Sequence, residues 1–133
     1  MGSGFVKLLL DTHIFLCWLE KHSRLPDEIL AAVSNPENQV LVSAASLWEI
    51  STKYRLGKLP LPCSSPLDLP RLVLDQQMDL LSISPSHAAL AGSWAIEHRD
   101  PFDRMLAAQA KIESFILVTL DPVFKDFKLD LMG

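Results

Sequence analysis

The stretch Phe-Val-Lys-Leu-Leu-Leu-Asp-Thr, residues 5–12, is a short apolar run that stops on a carboxylate. An almost unbroken apolar run of this length is typical of a strand buried on both faces in the middle of a parallel sheet. In open α/β folds, ligands bind at the edge of the sheet where such strands end. The stretch therefore predicts an α/β fold and places Asp11 at the edge where a site forms.

Strand-like and helix-like stretches alternate through the rest of the chain. Further strands are predicted at residues 39–43, 80–83 and 115–119, with a last edge strand within 127–132. The intervening stretches predict helices that begin near Thr12, Pro26, Ser46, Leu69, Pro85 and Pro101 and end near Lys21, Ala32, Leu56, Met78, His98 and Glu113. This alternation predicts a central parallel sheet of four to five strands flanked by helices on both faces. Residues 1–4 are expected to be a cloning scar and residues 5–133 a single domain.

Composition narrows the class of protein. The net charge of −4 argues against a surface coated with charge for nonspecific polyanion binding. Cys17 and Cys63 lack the spacing of a metal or redox motif, which favours a reduced chain in the cytoplasm. No apolar run approaches the roughly 18 residues that a membrane span needs, so no membrane partner is expected.

Acidic residues recur where predicted strands pass into helices. They are Asp11, Glu49, Asp103 and Asp121, with Asp100 as a possible fifth. Each has a local structural explanation as well. Asp11 and Asp121 could begin turns, and Glu49 could complete a capping box with Ser46. Asp100 could cap the helix that follows it, with Asp103 as an acid in its first turn.

Capping alone does not explain why acids recur at so many junctions that share one edge of a parallel sheet. Two carboxylates about 4 Å apart repel each other by about 4 kcal/mol at an effective dielectric constant near 20. A divalent cation relieves that repulsion, and carboxylate and water oxygens are the ligands that Mg²⁺ and Mn²⁺ accept. The joint pattern therefore predicts a metal site.

These residues lie in stretches that resemble a PIN domain, in particular the VapC-like ribonuclease toxins of bacterial toxin–antitoxin pairs. The stretches follow the family's order and are Leu-Leu-Leu-Asp-Thr-His at 8–13, Ser-Leu-Trp-Glu-Ile at 46–50, Lys-Tyr-Arg-Leu-Gly-Lys-Leu at 53–59, His-Arg-Asp-Pro-Phe-Asp-Arg-Met-Leu-Ala-Ala-Gln-Ala at 98–110, and Val-Thr-Leu-Asp at 118–121. By motif, the family's catalytic and metal-binding quartet falls on Asp11, Glu49, Asp103 and Asp121. Asp100 becomes a cap or a further ligand, and Thr119 a supporting hydroxyl that orients a water.

The resemblance implies hydrolysis of RNA phosphodiesters with one or two Mg²⁺ ions, or with Mn²⁺ in their place. It also implies a cognate antitoxin and a homodimer. Four basic residues are either a solvated helix face or contacts to RNA phosphates; they are Lys53, Arg55, Lys58 and Arg104. His13, His87 and His98 are expected on helix surfaces, and Trp18, Trp48 and Trp94 in core or interface packing.

Two other functions remain open from the sequence. A phosphatase or phosphotransfer domain would use Asp11 as a nucleophile, but the Asp-x-Asp pair expected of a phosphatase is absent because position 13 is His. A non-catalytic interaction module with a PIN-like fold would keep the acids without using them for cleavage.

Overall fold

The computed structural model describes residues 5–21 and 25–133, so the expected cloning scar lies outside the described residues. Strands and helices alternate along this chain. The strands are β1 (Lys7–Leu10), β2 (Gln39–Ser43), β3 (Asp79–Leu81), β4 (Ile116–Val118) and β5 (Leu131–Met132). The helices are α1 (Thr12–Glu20), α2 (Asp27–Ser34), α3 (Ala44–Arg55), α4 (Leu69–Asp75), α5 (Pro85–Ser93) and α6 (Pro101–Glu113), with 3₁₀ turns at Pro66–Asp68 and Pro122–Phe127.

The five strands form one all-parallel sheet in the order β3-β2-β1-β4-β5. Strand β1 is central, with Leu8 in register with Val40 of β2 on one side and with Ile116 of β4 on the other. Both neighbours are parallel to β1, so all three strands end at the same edge of the sheet. The parallel sheet predicted from the sequence is confirmed, with five strands.

Side chains of β1 alternate between two apolar layers. Leu8 and Leu10 pack in the layer that includes Ile14 of α1 and Ile50 of α3. Leu9 packs in the opposite layer, against α6 and the 3₁₀ turn at Pro122–Phe127. The three leucines are fully buried, and each side chain removed from water stabilises the fold by about 2 kcal/mol. Helices therefore cover both faces of the sheet, as predicted.

Helix α3 begins two residues earlier than predicted. Ser43 is the residue that caps it, because its Oγ accepts a hydrogen bond from the Ala45 backbone N–H at 3.0 Å. Ser46 lies inside the helix, where its Oγ accepts a hydrogen bond from the Thr12 hydroxyl at 2.9 Å. The predicted capping box between Ser46 and Glu49 is therefore wrong, and Glu49 lies in the second turn of the helix.

Helix α5 ends at Ser93, five residues before the predicted end at His98. The following segment alternates between half-buried side chains at 94, 96, 98 and 100 and exposed side chains at 95, 97 and 99. A period of two is typical of extended backbone and not of a helix. The same alternation is visible in the sequence as Trp-Ala-Ile-Glu-His-Arg-Asp. The predicted continuation of the helix to His98 does not take it into account and is wrong.

Helix α4 also ends before its predicted limit at Met78, since Gln77 has a positive φ of 62° that ends the helix. Among the described residues, no helix is both long and apolar enough to cross a membrane.

Candidate active site

A cleft of about 410 Å³ lies at the edge where the strands end. All five predicted acids line it, together with hydroxyl, imidazole, ammonium and apolar groups. The lining residues are Asp11, Thr12, His13, Glu49, Lys53, Asp100, Asp103, Leu120, Asp121 and Phe124. Four separate parts of the chain thus bring their carboxylates to one cleft, as the strand-end argument predicts.

Asp11 is held in one orientation from two sides. It caps α1, with Oδ1 accepting a hydrogen bond from the Ile14 N–H at 2.7 Å. Oδ2 accepts a hydrogen bond from the Thr119 hydroxyl at 2.5 Å. The side chain is buried, and this burial raises the pKa of the Asp11 carboxyl, although the two hydrogen bonds oppose the shift.

Thr119 joins Asp11 to Asp121. Its hydroxyl donates to Asp11 and accepts a hydrogen bond from the Asp121 backbone N–H at 3.0 Å. Asp121 in turn starts the 3₁₀ turn, with its Oδ1 accepting from the Val123 N–H at 3.0 Å. The local turn explanation for Asp121 is thus correct, yet its exposed carboxylate also lines the cleft. Asp121 can therefore both begin the turn and belong to the shared site.

Glu49 is the acid that α3 contributes. Its side chain is buried, and its Oε2 lies 2.5 Å from the Nζ of Lys53, one turn later on the same helix. This contact raises the pKa of the Lys53 ammonium, mainly through the hydrogen bond to Glu49. An ammonium group therefore neutralises one of the carboxylates of the cleft.

Asp103 and Asp100 both lie at the start of α6. Asp100 caps the helix, since its Oδ1 accepts hydrogen bonds from the N–H groups of Phe102 and Asp103 at 2.8 and 3.1 Å. Asp103 Oδ2 lies 2.9 Å from Nε2 of His98. Burial, followed by the charges of Asp100 and Glu49, raises the pKa of the Asp103 carboxyl from 3.8 to about 6, against the opposing effect of His98. The raised pKa reflects first the burial of this carboxyl and then its position near two other acids.

The predicted basic residues are dispersed. Only Lys53 lines the acidic cleft, whereas Arg55 and Lys58 are exposed outside its lining. Arg104 donates hydrogen bonds to the backbone carbonyls of Ala91, Trp94, Ile96 and His98. Arg104 therefore fits neither the solvated helix face nor the contact to RNA phosphates that the sequence left open, because its guanidinium is hydrogen-bonded to the backbone.

Two of the three predictions for histidines are wrong. His13 is exposed on α1 as expected. His98 lies after helix α5 and contacts Asp103, as described above. His87 is buried, and its ring contacts the Ser84 N–H and the Glu113 carboxylate. The ring completes a capping box at the start of α5, a role that the sequence Ser-Pro-Ser-His signals through its Ser at the cap and His at the third helical position.

The tryptophans pack as expected, although one of them is exposed. Trp94 packs edge-on against Phe127, with ring centroids 5.2 Å apart. The Trp18 indole N–H donates to Gln76 Oε1 at 3.2 Å. Trp48 packs edge-on against Phe102 at 4.8 Å, yet 55% of its surface is exposed.

The carboxylates of the cleft suit a hard divalent cation as a donor set. Within residues 5–21 and 25–133, however, no group of three or more His, Cys, Asp or Glu side chains is placed so that it could hold a metal ion by itself. Mg²⁺ keeps several waters and binds through one or two carboxylates, so the donor chemistry of these side chains remains compatible with it. The raised pKa of Asp103, which is due mainly to burial and then to the charges of Asp100 and Glu49, supports the fit, because a nearby cation favours the ionised carboxylate.

Comparisons with known proteins show the family of the chain. A family model described as the PIN domain matches residues 8–129. Ribonuclease VapC16 of Mycobacterium tuberculosis (strain ATCC 25618 / H37Rv) is 40% identical to the chain over 73 residues, which are 52% of this chain and 52% of that protein. The chain thus spans about half the length of this curated relative.

Solved structures show a similar fold over nearly the whole chain. VapBC-1 from nontypeable Haemophilus influenzae matches with a TM-score of 0.66 and 20% identity, over 96% of this chain and 98% of that chain. VapBC2 from Rickettsia felis, bound to a DNA fragment from their promoter, matches with a TM-score of 0.63 at the same identity and coverage. At 20% identity these likenesses concern the fold alone.

Proposed function

The chain belongs to the PIN domain family, and from this premise we propose that it is a metal-dependent ribonuclease, the toxin of a toxin–antitoxin pair. One observation carries the proposal: Asp11, Glu49, Asp103 and Asp121 line a single cleft at the edge where the parallel strands end. The similarity to Ribonuclease VapC16 supports RNA as the substrate.

The four acids would hold one or two Mg²⁺ ions, with Mn²⁺ as the alternative and Asp100 as a possible further ligand. Such an ion, when bound, activates a water and neutralises charge on the phosphate and the leaving oxygen. The chain's own residues prepare the carboxylates for this task. Thr119 and the Ile14 N–H fix the orientation of Asp11, and the His98 ring contacts one oxygen of Asp103.

Besides its ion pair with Glu49, Lys53 would contact an RNA phosphate in this cleft. Its ammonium neutralises Glu49 in the structure and is 43% exposed, so it remains within reach of a phosphate that enters the cleft. Glu49 would help to hold the metal ion, and Lys53 would contact the RNA backbone as a point charge. Arg55 and Lys58 would contact RNA only outside the cleft.

The partners of the chain are proposed on the same basis. The resemblance to VapC-like toxins, together with the structural likeness to two VapBC structures, supports a cognate antitoxin that blocks the cleft. We also propose a homodimer, and a cytoplasmic location where RNA is available.

The test is cleavage of total cellular RNA by the purified protein freed of any bound antitoxin. We expect fragments with Mg²⁺ or Mn²⁺, intact RNA with EDTA, and restored cleavage when excess metal is added. A Glu49→Gln protein purified in the same way controls for contaminating nucleases. Intact RNA at every metal concentration, together with hydrolysis of a phosphate monoester such as p-nitrophenyl phosphate, would overturn the proposal in favour of the phosphatase alternative.

A further inference from the structure

Arg104 makes an unusual set of contacts for a helical arginine next to a catalytic acid. Its guanidinium donates four hydrogen bonds, all to backbone carbonyl oxygens. Nε donates to Ala91 at 2.7 Å and Nη2 to Trp94 at 2.5 Å. Nη1 donates to both Ile96 and His98, at 2.6 and 2.9 Å. Four hydrogen bonds from one side chain indicate a fixed structural contact and not a mobile surface charge.

The segment that accepts these bonds has little structure of its own. Residues 94–100 belong to no helix or strand. Its backbone forms two hydrogen bonds between residues two apart, as in γ-turns. The Ile96 N–H donates to the Trp94 oxygen and the His98 N–H to the Ile96 oxygen, both at 2.8 Å. The same carbonyls at 94 and 96 accept from Arg104, as does the carbonyl of His98. A planar guanidinium can bind several carbonyls in one plane, whereas a lysine ammonium cannot match this fork.

The segment contains His98, which contacts an acid of the cleft. His98 Nε2 lies 2.9 Å from Asp103 Oδ2, and Asp103 is the neighbour of Arg104 on helix α6. One helix therefore carries both the carboxylate and the side chain that holds the carboxylate's partner in place. Any shift of the segment relative to α6 would move the imidazole away from Asp103.

We propose that Arg104 is a positioning residue: by holding the carbonyls of residues 94, 96 and 98, it keeps His98 against Asp103 and fixes how this carboxylate faces the cleft. The consequence for metal affinity rests on the proposed function, whereas the consequence for His98 does not. The sequence and the comparisons give no such role to Arg104.

Aromatic packing offers a competing explanation for the order of the segment. The rings of Trp94 and His98 both lie edge-on to Phe127, at centroid distances of 5.2 and 6.0 Å. If these contacts alone hold the segment, removal of the guanidinium leaves His98 in place. The two explanations therefore predict different results for one substitution.

The first test is made without metal, by NMR of the imidazole nitrogens at about pH 8, where histidine is largely neutral. In the wild-type protein we expect His98 to carry its proton on Nε2, and Arg104 to show separate, slowly exchanging Nη–H signals. In Arg104→Lys we expect the His98 signals to shift towards those of a free ring. His13, exposed on α1, and His87, in its own buried network, serve as internal controls that stay unchanged.

The second test measures Mn²⁺ affinity by titration in a double-mutant cycle. Groups that orient a metal ligand typically change affinity by about 10–100-fold, so we expect Arg104→Lys and His98→Ala each to weaken binding about tenfold. If Arg104 acts through His98, the double variant is no weaker than either single variant. Arg71→Lys, at an exposed ion pair on α4, is the matched control and leaves affinity unchanged.

The outcomes separate this inference from the proposed function. Unchanged His98 signals in folded Arg104→Lys, or averaged Nη–H signals of Arg104 in the wild-type protein, would overturn the role of Arg104 whatever the enzyme does. Additive losses near 100-fold in the double variant would also overturn it. Absence of Mn²⁺ binding to the wild-type protein, with the expected NMR shifts, would instead count against the proposed metal site and leave the role of Arg104 supported.

Discussion

The carboxylates of the cleft differ in burial, in hydrogen bonding and in pKa. The Asp11 carboxylate is buried and accepts hydrogen bonds from two donors, whereas the exposed carboxylate of Asp121 accepts one from the Val123 N–H of its own turn. Asp103 is half-buried, and burial raises the pKa of its carboxyl to about 6. A carboxylate kept partly protonated near neutral pH stores an energetic cost that a cation can relieve.

Because ionising the Asp103 carboxyl is unfavourable in the folded protein, we predict that Asp103→Asn stabilises the metal-free protein. The folded state holds the Asp103 proton more tightly than the unfolded chain, so stability decreases as pH rises from about 4 to 6 and the cost is fully present at neutral pH. At neutral pH we expect Asp103→Asn to be more stable by about 1–2 kcal/mol, less than the full shift implies because water reaches the side chain. Below about pH 4 the gain should vanish.

The measurement is urea denaturation in EDTA across this pH range. Asp126→Asn, at an exposed position in the turn after Asp121, is the matched control and should change stability equally little at every pH. A variant that is no more stable than the wild-type protein at neutral pH would show that Asp103 carries no such cost.

At the scale of elements, the junction between β2 and α3 determines the position of Glu49. Ser43 ends β2, caps α3 and donates its hydroxyl proton to Gln109 Oε1 on α6 at 2.6 Å. Both side chains are fully buried. One hydroxyl therefore links the helix that carries Glu49 to the helix that carries Asp103.

We expect Ser43→Ala to destabilise the protein by about 2 kcal/mol, because it removes a helix cap and leaves a buried amide oxygen without its donor. Ser93→Ala removes an exposed hydroxyl that bonds to the Ala89 carbonyl within α5, and should change stability by no more than about 0.5 kcal/mol. Chemical denaturation of the two variants tests this difference. Equal effects would mean that Ser43 does not join the two helices.

The elements also show what the sequence could predict. The apolar run before Asp11 and the Asp-Pro pair at the start of α6 are local patterns strong enough to predict β1 with the acid that follows it and α6 with the acids at its start. The sequence does not single out Ser43 as the cap, because Ser46 offers an equally good local pattern. What decides between them is tertiary, since the Ser43 hydroxyl bonds to Gln109, 66 residues later in the chain.

The same reasoning applies to the partners of the acids. The contact of His98 with Asp103 depends on an extended segment that sequence reasoning treated as helix, although the alternation of residues 94–100 was a usable signal. For Arg104 no local signal existed. Its hydrogen bonds depend on where four backbone carbonyls lie in space, which only the packed structure determines.

At the scale of the whole molecule, the strand order places β1 between β2 and β4. Asp11, Glu49 and Asp121 follow these three neighbouring strands, and α6 adds Asp103 from the face that it covers. The cleft is therefore a consequence of the parallel topology, because an antiparallel neighbour would carry its acid to the opposite edge. The central claim is that these acids act together as one nuclease site.

The most direct test is the cleavage rate of one RNA substrate in Mg²⁺ by the wild-type protein, Asp11→Asn and Asp126→Asn. Asp11→Asn keeps the size of the side chain and an oxygen for the cap of α1, but it removes the negative charge from the cleft. We expect its rate to fall by at least about 100-fold, as for other groups that stabilise charge in a transition state, with Asp126→Asn unchanged. A folded Asp11→Asn protein that cleaves RNA at the wild-type rate would contradict the account.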